Sequence, residues 1–153
     1  MLTALKKTPP NGQAIGKSRG GNTTKIHLVC EKHGKPLHFH LSGGNLHDCV
    51  MAENLLNEVD TSSTERVLGD KGYDTDAILD KIDKLGAEAI IPSKSNRRQP
   101  RKLRKKTYRK RHRVENVFCS IKQFRSVATR YEKLALHYAG IVAMACIILW
   151  LKI

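Results

Sequence analysis

The stretch TYRKRHRVENVFCSIK occupies residues 107–122, and the rest of the chain is best read outward from it. No glycine or proline interrupts it, and at 100° per residue Tyr108, Arg111, Glu115 and Lys122 fall within a sector of about 60° on a helix. They form one polar stripe. Val114, Val117, Phe118, Ile121 and Phe124 fall on the neighbouring face, so the same helix can bury an apolar side and hold the stripe along the rim of the core. Glu115 is the only acid between Glu88 and Glu132. Beside Lys110, Arg111 and Arg113 it reads either as a structural ion pair or as one carboxylate of a metal site, which requires other carboxylates to converge on it.

The stripe grows out of a strongly basic segment. Lys94 to Arg113 holds twelve basic residues and no acid; taking these from the formal net charge of +14 leaves +2 for the remainder. The molecule reads as a near-neutral globule carrying one dense cationic run, which would hold phosphates with a steep salt dependence or serve as a solvated face. Its 153 residues, 40% hydrophobic and 27% charged, fit one soluble domain and exclude two large ones. Cys30, Cys49, Cys119 and Cys146 stand alone, so neither a disulfide framework nor a four-cysteine zinc site is indicated, and they read as small core residues in a reducing, cytoplasmic setting. Leu134 to Leu151 is uncharged but carries His137, Tyr138 and Gly140, and reads as a buried helix rather than a membrane span.

Upstream, residues 1–22 contain several glycines and prolines without helical or strand periodicity and read as an unpaired arm, leaving 23–153 as the folded core. TTKIHLVC and LHFHL, separated by EKHGKP, predict a β-hairpin. Asp48 fits an N-cap for a helix carrying Cys49, Ala52, Leu55, Leu56 and Val59. Arg66 to Gly69 is a short apolar strand, Ala77, Ile78, Ile82 and Leu85 mark a second helix stopped by Gly86, and Glu88 to Pro92 is another strand. From Leu103 two helices follow, with a break near Arg125 to Thr129, giving the order ββαβαβαα. His38 and His40 alternate onto one strand face; with no third ligand at a suitable spacing they read as half-buried strand residues rather than a zinc site.

A second carboxylate, Asp70, follows the short apolar strand and precedes Gly72-Tyr73, where open α/β sheets present ligand-binding groups; alone it could equally be a turn aspartate satisfying its own loop. TKIHLV (24–29), SGGNLHD (42–48), LGDKGYD (68–74) and the Tyr-Arg-Glu-Lys spacing of residues 108–122 occur in this order. Together they resemble the bacterial insertion-sequence transposases of the DDE type over roughly residues 14–151. That resemblance implies an α/β fold with a ribonuclease H-like mixed sheet flanked by helices. It also implies metal-dependent cleavage and strand transfer of DNA. Asp70 would be the second and Glu115 the third acid of the triad, each a ligand of magnesium or manganese. Tyr108, Arg111 and Lys122 would contact DNA near the cut, with Arg104, Lys105 and Lys106 of the basic segment holding flanking DNA.

The family's first aspartate, on an opening strand upstream of the Gly16–Gly21 stretch, has no counterpart, since no acid precedes Glu31. Met1 to Lys7 could lie in the place of that strand but carries no metal ligand. Asp48 is better suited to capping. The chain is therefore expected to lack the first strand and to be inactive alone, as a truncated or split-frame part whose partner fragment supplies the missing acid. A homodimer holding two transposon ends, in the bacterial cytoplasm at the nucleoid, is the matching assembly. The alternative is a non-catalytic basic DNA-binding remnant.

Overall fold

Alternation of apolar and polar residues sets the first sheet. The computed structural model describes residues 12–151. In it β1 (Gly16–Ser18), β2 (Gly21–Cys30) and β3 (Pro36–Gly43) form an antiparallel sheet in the order β1-β2-β3. Ile26 pairs with Leu41 and Leu28 with Phe39, while His27 pairs with His40. Successive strand residues point to opposite faces. The Ile26, Leu28, Phe39 and Leu41 face therefore packs on one apolar core, and the face bearing His27, His38, His40 and Ser42 lies toward α1 (Asp48–Glu58).

The first core is completed by α4 (His112–Ile121), α5 (Arg125–Ala128) and α6 (Ala135–Leu151), through buried Val117, Ile121, Val127, Tyr138, Val142, Ala145 and Cys146. Tyr138 Oη donates to the Val127 carbonyl at 2.7 Å, and Trp150 Nε1 donates to the Pro36 carbonyl, tying α6 to the start of β3. The second core lies between α1, α2 (Asp76–Lys84) and a parallel pair, β4 (Arg66–Leu68) and β5 (Glu88–Ile90). Ala52, Ile78, Ile82, Ala87 and Ile91 are its buried residues. The Thr75 hydroxyl accepts from the Ile78 N–H to start α2, and Gly86, at φ +69°, ends it.

Several expectations are corrected. The strands form two sheets rather than one, because among the described residues no strand bridges β2 and β4. Residues 16–22 are not an unpaired arm: Gly16 to Ser18 ladder with Gly21 to Thr23, and Thr24 Oγ1 donates to the Ala14 carbonyl at 2.6 Å. Glycine-to-backbone pairing of this kind leaves no side-chain period to read. The strand place suggested for Met1 to Lys7 lies outside the described residues. Asp48 is the first residue of α1 and not its cap; His47 holds the cap position without a side-chain bond, and Asp48 pairs with Lys25 Nζ at 3.0 Å. Cys119 is exposed, since two residues' rotation turns it away from buried Val117 and Ile121. α6 is buried along one side only: Leu136, Met144, Ile147 and Leu151 are exposed. Among the described residues no helix is long and apolar enough to cross a membrane.

Candidate active site

The LGDKGYD stretch folds for reasons its residues make plain. β4 ends at Leu68, and Asp70 opens a single 3-10 turn, Lys71–Tyr73, by accepting the Gly72 N–H on Oδ1 at 2.7 Å. A Cβ on Gly72 would lie 2.8 Å from that oxygen, and one on Gly69 would lie 3.2 Å from the Tyr73 ring. The two glycines thus let Asp70 close the turn and Tyr73 fold back over it. Asp70 stands half-buried just past the C-terminal end of a parallel strand, and among the described residues no donor reaches its Oδ2.

The polar stripe is helical but not one helix. α3 (Lys105–Tyr108) passes through a 3-10 turn, Arg109–Arg111, into α4, with helical backbone angles at both joints. The tighter turn still leaves Arg111 against both neighbours: its guanidinium carbon is 5.7 Å from the Tyr108 ring centre, and Nη2 donates to Glu115 Oε1. Glu115 is otherwise open, its side chain 55% exposed. Lys122 lies at the C-terminal cap of α4 with its ammonium 5.9 Å from the Phe118 ring centre. Tyr108, Arg111 and Glu115 are therefore brought together, whereas Lys122 is engaged a turn further along.

Tyr73 links the two carboxylates' surroundings. Burial first, and then the negative charges of Asp48 and Asp70, push its phenol up to about 12, while Arg111 pulls the other way.

Asp74 is the residue that sequence reasoning missed. Its side chain is fully buried and accepts from the Lys94 N–H at 2.7 Å, Arg101 Nη2 at 2.7 Å and Arg97 Nε at 3.1 Å. Burial alone would raise its pKa; the Lys94 amide and the Arg101 and Arg97 donors outweigh it and hold the carboxyl at about 2. Arg97 also pairs with Asp76, and Arg104 with Glu88 at 3.1 Å. The basic run is therefore not wholly free for phosphate. Arg97, Arg101, Arg104 and Arg111 each pair with an acid, while Arg98, Lys102, Lys105, Lys106, Arg109 and Lys110 are exposed without an ion pair among the described residues. The signal was an acid directly after Gly72-Tyr73, but its partners lie 20 to 27 residues downstream.

Asp70 and Glu115 offer hard oxygen donors suited to a divalent magnesium- or manganese-type ion. Among the described residues no third His, Cys, Asp or Glu completes a set of three with them; the one such trio in mutual reach is His38, His40 and Glu58.

Comparison with known proteins adds two findings. A family model described as a transposase DDE domain matches residues 4–150. A putative transposase for insertion sequence element IS6501 from Brucella ovis is 32% identical over 131 residues, covering 85% of this chain and 99% of the relative. No solved structure matches the chain.

Proposed function

The chain belongs to the transposase DDE domain family, and from that premise we propose that Asp70 and Glu115 are two acids of a divalent-metal site that cuts and rejoins the DNA ends of an insertion sequence. The observation that carries the reading is the place of Asp70, half-buried just past the C-terminal end of β4 with one carboxylate oxygen unbonded among the described residues, in a chain that the family model matches over residues 4–150. A pair of such ions, magnesium or manganese, would activate the attacking oxygen and stabilise the leaving one at phosphorus.

The protein's own groups do the positioning. Gly72 N–H fixes one oxygen of Asp70 and leaves the other available. Arg111, braced by Tyr108 and Glu115, presents cationic N–H donors where a phosphate would approach, and Lys122 extends the stripe. The six exposed bases of the Arg98–Lys110 run, Lys105 and Lys106 among them, hold flanking DNA without reading its sequence, and Arg104 contributes once released from Glu88.

The fold is assigned to the ribonuclease H-like class, with the hairpin sheet and the β4–β5 pair flanking the position of a first strand. No acid precedes Glu31 in this sequence, so Asp70 and Glu115 are the two acids of the site assigned to it. A dimer holding two transposon ends in the bacterial cytoplasm, at the nucleoid, is the working assembly.

The test mixes the full chain with a polypeptide bearing an Asp-Ser-Thr strand and DNA carrying the element's terminal repeats. Manganese-dependent cleavage is expected, with Asp70→Asn and Glu115→Gln abolishing it while DNA affinity stays equal or rises, because negative charge beside phosphates is removed. The slope of log affinity against log salt should be about −5 for six phosphate contacts. Equal cleavage by wild type and Asp70→Asn would sink the reading.

A further inference from the structure

The face of the hairpin turned away from the α6 core carries a cluster that the proposed DNA chemistry does not use. His38 and His40, two residues apart on β3, project together toward the last residue of α1, Glu58. Glu58 Oε2 is 2.7 Å from His38 Nε2 and Oε1 is 3.3 Å from His40 Nε2. The two rings meet edge to face, centroids 5.0 Å apart. One donor atom from each residue falls within 4.8 Å of the other two.

We propose that His38, His40 and Glu58 form a structural zinc site that clamps the C-terminal end of α1 onto β3, with a fourth position open to solvent. Donors around a tetrahedral zinc, at bond lengths of about 2.0–2.1 Å, stand roughly 3.3 Å from one another. Glu58 Oε1 already stands at that separation from His40 Nε2, and Oε2 is closer, 2.7 Å from His38 Nε2, so the His38 side would open by about half an ångström to admit the ion. Two imidazoles and a carboxylate are also a donor set of the right hardness for zinc.

A second observation separates a metal site from a simple ion pair. His40 Nε2 is buried and makes no hydrogen bond among the described residues, although a carboxylate oxygen lies 3.3 Å away. A buried ring nitrogen facing an acceptor without bonding it is left unsatisfied in an ion pair, at a cost. As a metal ligand the same nitrogen is satisfied. The neighbouring His27 does not compete for the ion: its Nε2 is 2.7 Å from Ser42 Oγ and buried with it.

The cluster shares no residue with the candidate active site, and its Glu58 lies at the far end of α1 from Asp48. Glu58 is ten residues along α1 from Asp48, which at 1.5 Å per residue is about 15 Å. Its role is accordingly to hold the helix on the sheet, and it stands or falls independently of the transposase reading.

The test uses the untagged full chain, stripped with chelator and titrated with zinc chloride alone in a calorimeter. One zinc per chain is expected, with a raised thermal midpoint. His38→Gln, His40→Gln and Glu58→Gln should each weaken binding tenfold or more and remove the midpoint rise, with circular dichroism unchanged. Cobalt(II) in place of zinc should give tetrahedral visible bands without a thiolate charge-transfer band. No saturable binding by wild type, full binding by the His38→Gln/His40→Gln double variant, or a thiolate band would each overturn the proposal.

Discussion

The two apolar cores are built on different principles. The core beneath the hairpin joins eight- and ten-residue strands to a seventeen-residue helix, and its side chains interlock across more than a hundred residues of sequence, as Trp150 reaching Pro36 illustrates. The core around α2 rests on two parallel strands of three residues each, a ladder too short to hold together without covering helices. It compensates with a polar anchor, Asp74, which draws Arg97 and Arg101 back onto the sheet's end. One half is held by apolar area, the other by apolar area plus a buried charge. α1 bridges the two, giving Ala52 to the α2 core and lying on the outer face of the hairpin, so the comparison can be broken by experiment.

The largest effects are expected in the cores themselves. Ile121→Ala in the hairpin core and Ile82→Ala in the α2 core, both fully buried, should each cost about 2–5 kcal/mol in denaturant unfolding. Because α1 ties the hairpin sheet to the α2 core, each should move a single transition; two separate transitions would show that the halves unfold independently.

The Asp74 anchor should show its effect next and only through the α2 half. Removing a buried charge partner leaves Arg97 and Arg101 without their acceptor, and Asp74→Asn should cost about 3 kcal/mol at neutral pH. The sign with pH follows from the depressed carboxyl. A group ordinarily near 3.8 and held at about 2 in the fold adds stability that is complete above the ordinary value and is lost as pH falls toward 2. Thermal unfolding between pH 5 and pH 2 should therefore converge for wild type and Asp74→Asn. Parallel curves would dismiss the anchor. The smallest change tests the hairpin half: Tyr138→Phe removes one buried bond to the Val127 carbonyl and should cost about 1 kcal/mol, independent of pH over the same range.

What could be read from the sequence divides along the same line. The hairpin, α2 and the apolar face of α4 were legible because their burial repeats with period 2 or 3.6, and Val117, Ile121, Ile78 and Ile82 are buried as those periods require. Motif spacing singled out Asp70 and Glu115 for the site proposed above. β1 was not, because Gly16 and Gly21 carry no side-chain pattern and their pairing is all backbone. Asp74 and Glu58 were hidden for another reason: each looks like an ordinary surface acid until folding brings partners from Lys94 to Arg101, or from His38 and His40, onto it. The 3-10 turn at Arg109–Arg111 left no trace either, as no glycine or proline marks it.

The reach of α6 back to β3 has a consequence for the chain as it is made. Pro36 and Trp150 are 114 residues apart. A ribosome adding about 5–20 residues per second therefore exposes Phe39, Leu41 and their strand partners for roughly 6 to 23 s before the helix that covers them emerges. During that interval the nascent hairpin shows a bare apolar face, the kind of surface that chaperones hold, and a stall before α6 would hand that face to aggregation.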